Sequence, residues 1–173
     1  GLKQFLDRRL HNVFTIVHIL PFFPYSSDDG FSVSDFRAVN PDLGNWDDIA
    51  AFKEHFDLMF DLVLNHMSRE HLWFVNYIQD QSPGKGYVIE VDPDESKSLS
   101  MVVRPRTSPL LSRVRRPHDI RHVWATFSND QIDLNYANPE LLLEMIDLLF
   151  SYVRYGATAI RLDAVAFLWK EIG

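Results

Sequence analysis

An α/β fold built on a parallel sheet is what this sequence predicts, and three observations carry that expectation. Mostly apolar runs rich in β-branched or large aliphatic residues occur at 13–20 (VFTIVHIL), 58–64 (LMFDLVL) and 157–163 (ATAIRLD), and they read as buried strands. Helical signals lie between them. The resulting order is strand, helix, strand, a long irregular segment, helix, strand, helix, an alternation that favours parallel pairing.

The first strand ends at Pro21, and a loop rich in Pro, Ser, Asp and Gly runs from there to about Gly44. Asn45 then suits a helix N-cap, with Asp47 and Asp48 in the first turn favouring the helix dipole. Ile49, Phe52 and Phe56 follow at helical spacing. The second strand ends at Asn65-His66. Residues 82–127 are rich in Pro, Gly, Ser and Arg, with poor periodicity. Trp124, Phe127 and several Val and Leu residues give that stretch a core of its own, so it reads as an inserted subdomain rather than a linker. Asn138-Pro139-Glu140 is a strong helix start. Glu140, Glu144, Asp147, Ser151 and Arg154 form a narrow polar stripe on that helix, which predicts that most of its other faces are buried. Gly156 suits the C′ position. After the third strand, residues 166–172 are expected to begin another helix. The division expected is 1–80 and 131–173 as parts of one sheet domain, with 81–130 inserted.

The chain has 173 residues, enough for one domain with a sizeable core. A hydrophobic share of 46% beside 24% charged residues is that of an ordinary globular protein. A net charge of −7 argues against general nucleic-acid binding. There is no Cys, which removes disulfides and thiolate metal sites and fits a reducing, cytoplasmic setting. No apolar run reaches membrane-spanning length and no signal peptide opens the chain, so no membrane partner is expected.

Polar clusters end all three expected strands. Ser26-Ser27-Asp28-Asp29-Gly30-Phe31 follows the first, Asp61, Asn65 and His66 end the second, and Arg161 and Asp163 end the third. Residues two apart in a strand share a face, so Arg161 and Asp163 point the same way. A guanidinium beside a carboxylate favours its ionised form and fixes its direction, as a carboxylate nucleophile requires. Each cluster has a plainer reading: Asp28 as a turn residue, His66 as a core histidine, Arg161–Asp163 as a structural ion pair. Their convergence at the C-terminal ends of parallel strands, where α/β barrels place chemistry, favours a site. Arg104, Arg106, Arg113, Arg115, Arg116 and Arg121 crowd one stretch with Asp119 as the nearby acid. They read as a solvated face or, for some members, as an anion site, since Arg suits bidentate phosphate contacts. The spacing of His66, Glu70 and His71 matches neither H-E-x-x-H nor H-x-x-E-H, and no metal is expected.

Three of these stretches resemble the α-amylase superfamily, glycoside hydrolase family 13. Asp61-Leu62-Val63-Leu64-Asn65-His66 is similar to its first conserved region, and Ala159-Ile160-Arg161-Leu162-Asp163-Ala164 to the region carrying its nucleophile. Gln131-Ile132-Asp133-Leu134-Asn135 is similar to the short region near the end of its inserted domain. Val17-His18-Ile19-Leu20-Pro21-Phe22-Phe23 and Asn65-His66-Met67-Ser68 resemble the sucrose phosphorylase branch. Within that branch, Ser27-Asp28-Asp29-Gly30-Phe31-Ser32-Val33 and Arg104-Pro105-Arg106 look closest to glucosylglycerate phosphorylases.

The resemblance implies a partial (β/α)8 barrel, about strands 2–4, with a subdomain inserted after the third barrel strand. It implies Asp163 as the nucleophile that forms a glucosyl intermediate, and Arg161 as the group that aims it. Asp28 and His66 would bind sugar hydroxyls, Phe31 would wall the ring, and Phe167 would stand where many relatives carry Tyr. Arg104 and Arg106 would face phosphate or the acceptor. Inorganic phosphate is the implied co-substrate, with no cofactor and no metal. The acid/base partner would lie beyond position 173, so the chain alone is expected to be inactive. The rival expectations are a hydrolase or transglucosylase of the same superfamily, and a non-catalytic remnant.

Overall fold

A computed structural model describes residues 1–95, 99 and 101–170. Helix α1 (Leu2–Arg9) leads to strand β1 (Ile16–Ile19), then to a small hairpin of β2 (Tyr25–Ser27) and β3 (Ser32–Val33). Helix α2 (Trp46–Ala50) precedes β4 (Asp57–Val63), β5 (His66–Ser68) and α3 (Leu72–Ile78). A second hairpin joins β6 (Leu111–Arg115) to β7 (Ile120–Trp124). Then come β8 (Gln131–Asp133), α4 (Pro139–Tyr155) and β9 (Ala157–Asp163).

Strands β1, β4 and β9 form one parallel sheet with β4 in the middle. The register sets Asp61 opposite Arg161 and Val63 opposite Asp163, so the polar ends of β4 and β9 lie level. Leu58, Phe60, Leu62 and Val63 are all fully buried. A strand covered on both faces reads as a near-continuous apolar run, and β4 does so from Leu58 to Val63 except for the buried Asp61. The first strand differs from expectation. It is shorter, and Val13, Phe14, Ile16 and Leu20 are exposed, because β1 is an edge strand paired on one side only.

The helix starts follow from capping. Asn45 Oδ1 accepts from the Asp47 and Asp48 amides, and Asp48 Oδ2 accepts from the Asn45 amide in return. Asn138 Oδ1 accepts from the Glu140 amide, and Gly156 closes α4 in a left-handed conformation at φ 111°. Helix α4 departs from the near-complete burial its sequence suggests. Leu141, Met145, Leu148 and Tyr152 are buried, whereas Leu142, Leu143, Ile146, Phe150 and Val153 are exposed. The sheet, α2 and the loop after β1 offer this helix one packing face. Ser151, on the expected polar stripe, is buried and donates to the Asp147 carbonyl. The helix expected over 166–172 is replaced by a 3₁₀ turn at Val165–Phe167, which gives way to irregular chain; positions 171 and 172 lie outside the described residues.

An aromatic cluster joins α4 to the loop after β1. Tyr152 stacks on Phe23 with centroids 5.1 Å apart, and Tyr155 on Trp46 at 3.9 Å. The Tyr152 hydroxyl donates to the Phe36 carbonyl at 2.8 Å. The fully buried Phe23 and Tyr152 rings each contribute about 1.5–3 kcal/mol by burial, which anchors the segment carrying Asp28 and Phe31. On the other side, β5 and β8 pair antiparallel, and Val88 and Glu90 bridge to Leu134 and Val123. Among the described residues, no helix is long and apolar enough to cross a membrane.

Candidate active site

The end of β9 carries the charged centre. Arg161 Nη2 lies 3.0 Å from Asp163 Oδ1. Arg161 Nη1 donates to Asp61 Oδ1 on the neighbouring strand, and Asp61 Oδ2 is 2.7 Å from His18 Nε2 on β1. One line of hydrogen bonds therefore crosses all three strands and ends at Asp163. The Asp61 carboxylate is wholly buried. Its hydrogen bond is the main cause that raises the pKa of Arg161 above the ordinary arginine value, so the guanidinium stays charged.

Asp163 is followed by Ala164 at φ 52°, a left-handed conformation that L residues seldom adopt. That turn bends the chain away from the strand and brings Phe167 back over its end. The result is a cleft of about 460 Å³ lined by Asp28, Asp29, Phe31, His66, Arg106, Phe127, Gln131, Asp163, Ala164 and Phe167. The structure thus brings Asp28, Phe31, His66, Arg106, Asp163 and Phe167 to one cleft. Arg161 sits behind Asp163, with its guanidinium 5.8 Å from the Phe31 ring centroid. Arg104 is not brought to the cleft. Its Nη1 donates to the Thr126 carbonyl at 3.0 Å and to Ser108 Oγ at 3.3 Å.

His66 is 2% exposed, and burial lowers its pKa against the opposing pull of Asp133, so the ring is neutral at pH 7. Nε2 donates to the Phe31 carbonyl at 2.9 Å, and Nδ1 accepts from Asn65 Nδ2 at 3.3 Å, which fixes the tautomer. Gln131 Nε2 donates to Asp28 Oδ2 at 2.8 Å. Phe127 packs edge-on to Phe167 at 5.4 Å, and Arg106 lies 5.9 Å from its ring centroid.

Several members of this site are not legible as such in the sequence. Gln131 stands within a family-like stretch, and Phe127 reads as core. Lys170 is the least visible. Its ammonium lies 2.9 Å from both Asp133 Oδ2 and Asn65 Oδ1 and also donates to the Phe167 carbonyl. Asp133, buried at the end of β8 opposite His66 of β5, further accepts from the Thr126 amide and hydroxyl. The arginine-rich stretch also has more acidic partners than its local sequence offers. Arg116 pairs with Asp80 at 3.1 Å, and Arg121 with Asp119 at 2.8 Å and Glu90 at 3.3 Å. Asp7, Glu54 and His55 bring potential metal-ligand atoms together elsewhere, but the Lys3 ammonium lies 2.5 Å from Asp7 and 2.9 Å from Glu54.

A parallel sheet with an Arg-paired carboxylate at a strand's C-terminal end, beside a mixed aromatic and polar cleft, fits the α-amylase family. The chain belongs to that family: residues 11–172 match the alpha amylase catalytic domain, and the three-stranded sheet is part of its barrel. The chain is 55% identical over 172 residues to the glucosylglycerate phosphorylase of Allomeiothermus silvanus, covering 99% of this chain and 31% of that protein. It is 51% identical over 172 residues to the glucosylglycerate phosphorylase of Escherichia coli, covering 99% and 30%. The crystal structure of sucrose 6F-phosphate phosphorylase from Thermoanaerobacter thermosaccharolyticum superposes with a TM-score of 0.92 at 28% identity, covering 99% of this chain and 38% of that one. The chain spans about a third of the length of the curated relatives it matches.

Proposed function

We propose that the complete protein carrying this chain is a retaining α-glucoside phosphorylase acting on glucosylglycerate. The observation that supports this most is the cleft itself. Asp163, paired with Arg161, shares the cleft with Asp28, His66, Phe31 and the cationic Arg106. Asp163 attacks the anomeric carbon, the bond to the leaving oxygen breaks, and a covalent glucosyl ester forms. Phosphate then attacks the same carbon from the vacated face and frees the carboxylate, giving α-glucose 1-phosphate. Retention requires a second carboxylic acid about 5 Å from the first, protonating the leaving group. That acid is expected from a residue outside this segment, so the chain alone is inactive in this reading. Phosphate is the co-substrate, held at the Arg106 side; no cofactor or metal enters the scheme.

The experiment is phosphorolysis by the complete protein, with and without inorganic phosphate. Phosphate-dependent release of glucose 1-phosphate, lost in Asp163→Asn, is expected. Release of free glucose at the same rate without phosphate would identify a hydrolase instead.

A further inference from the structure

Asp130 lies one residue before β8, outside the cleft. A single oxygen, Oδ2, accepts hydrogen bonds from three serine hydroxyls: Ser26 at 2.6 Å, Ser27 at 2.5 Å and Ser32 at 2.8 Å. Ser32 Oγ also lies 3.1 Å from the Asp130 carbonyl, and Ser26 Oγ lies 2.5 Å from Ser68 Oγ on β5. Ser26 and Ser27 end β2, and Ser32 begins β3. Asp130 therefore grips both arms of the turn between them.

That turn is costly to hold. Asp28, Asp29 and Gly30 have φ of 58°, 51° and 105°, three successive left-handed residues. Such a conformation persists only where its surroundings over-determine it. A backbone hydrogen bond inside the turn runs from the Phe31 amide to the Asp28 carbonyl at 3.0 Å. The turn also carries the side chains that line the cleft, Asp28 and Phe31. Gln131, the next residue after Asp130, donates to Asp28 Oδ2. One short segment thus fixes both the base and the tip of the turn.

We infer that Asp130 is a positioning residue: its carboxylate locks the strained turn at 28–30, so that Asp28 and Phe31 meet the substrate in one fixed arrangement. Burial would raise the pKa of this carboxyl, but the three serine bonds, with the Arg69 backbone amide, outweigh that and lower it, so the lock holds its charge well into mild acid. The substrate part of this inference rests on the function proposed above; the conformational part does not.

Two measurements test it. In the complete protein, Asp130→Ala is expected to speed hydrogen exchange of the Phe31 amide at least tenfold while leaving the Leu62 amide of β4 unchanged. In the complete protein, the same change is expected to raise KM for the glucosyl donor about tenfold with kcat within a factor of about two, because a contact shared by ground and transition states is lost. Asp130→Asn, which keeps an acceptor oxygen, should recover part of both effects and serves if the alanine variant does not fold. Unchanged exchange at Phe31, or equal acceleration at Phe31 and Leu62, would overturn the inference. If the wild-type complete protein shows no phosphorolysis, the proposed function fails, and the exchange measurement still decides the role of Asp130.

Discussion

Arg161 holds two carboxylates at once: Asp163, 3.0 Å from Nη2, and the buried Asp61, bonded to Nη1. The register that sets Asp61 opposite Arg161 makes this possible. The planar guanidinium fork can serve both acids in fixed directions, and a lysine ammonium cannot.

Arg161→Lys is therefore expected to keep the positive charge and lose the aim. A misplacement of about 1 Å costs about 100-fold in rate. The measurement is kcat for glucosyl transfer by the complete protein. A loss below about threefold would count against the fork's role.

Lys170 neutralises a carboxylate that has no route to water. Removing one member of a buried ion pair costs about 3–5 kcal/mol, because the other stays charged and unpaired. Lys170→Met should lower the urea midpoint accordingly, and adding Asp133→Asn should restore part of the loss. Equal midpoints for the wild type and the single variant would refute this.

His71 gives the chain a specific acid sensitivity. Its Nδ1 accepts from the Trp73 amide and caps α3, and burial pushes its pKa down to about 4. An unfolded histidine titrates near 6.5, roughly. Between these values the unfolded chain binds a proton that the folded chain refuses, so stability is lost as pH falls from about 6.5 to about 4, by about 3 kcal/mol, and levels off below. His71→Asn keeps a capping acceptor without the titration. Denaturation at pH 7 and pH 4.5 should show a smaller acid loss in the variant; equal losses would exclude His71 as the cause.

Gly30 sits where a side chain has neither the backbone angle nor the space. A Cβ there would lie 2.7 Å from the Pro21 carbonyl oxygen, at φ 105°. Gly30→Ala should cost at least about 1–3 kcal/mol, read as a lower thermal midpoint. A midpoint unchanged within error would show that the turn can relax.

The parts of the fold legible in the sequence are those where local signal and tertiary burial agree. β4 is mostly apolar because it is covered on both faces, and α2 and α4 announce themselves through Asn45 and Asn138. The N-terminal helix α1 carries Leu2, Phe5 and Leu6 on one face but buries none of its residues fully; Leu2 and Phe5 stay exposed, and Leu6 alone of the three packs against the core. β5 and β8 are three residues each and exist through one another, across more than sixty positions. α3 is capped by a histidine ring, which is not a usual capping group. The cleft follows the same division. Asp28, His66 and Asp163 stand in readable motifs, whereas Lys170 acquires its partners only when the segment after Phe167 folds under the sheet's end.

That last contact ties the aromatic rim to a charge hidden beneath it. The Lys170 ammonium grips both the Phe167 carbonyl above and the Asn65–Asp133 floor below. The mouth of the pocket is thereby moored from underneath, and slack in that mooring would be felt first as a drifting aromatic rim rather than as a lost fold.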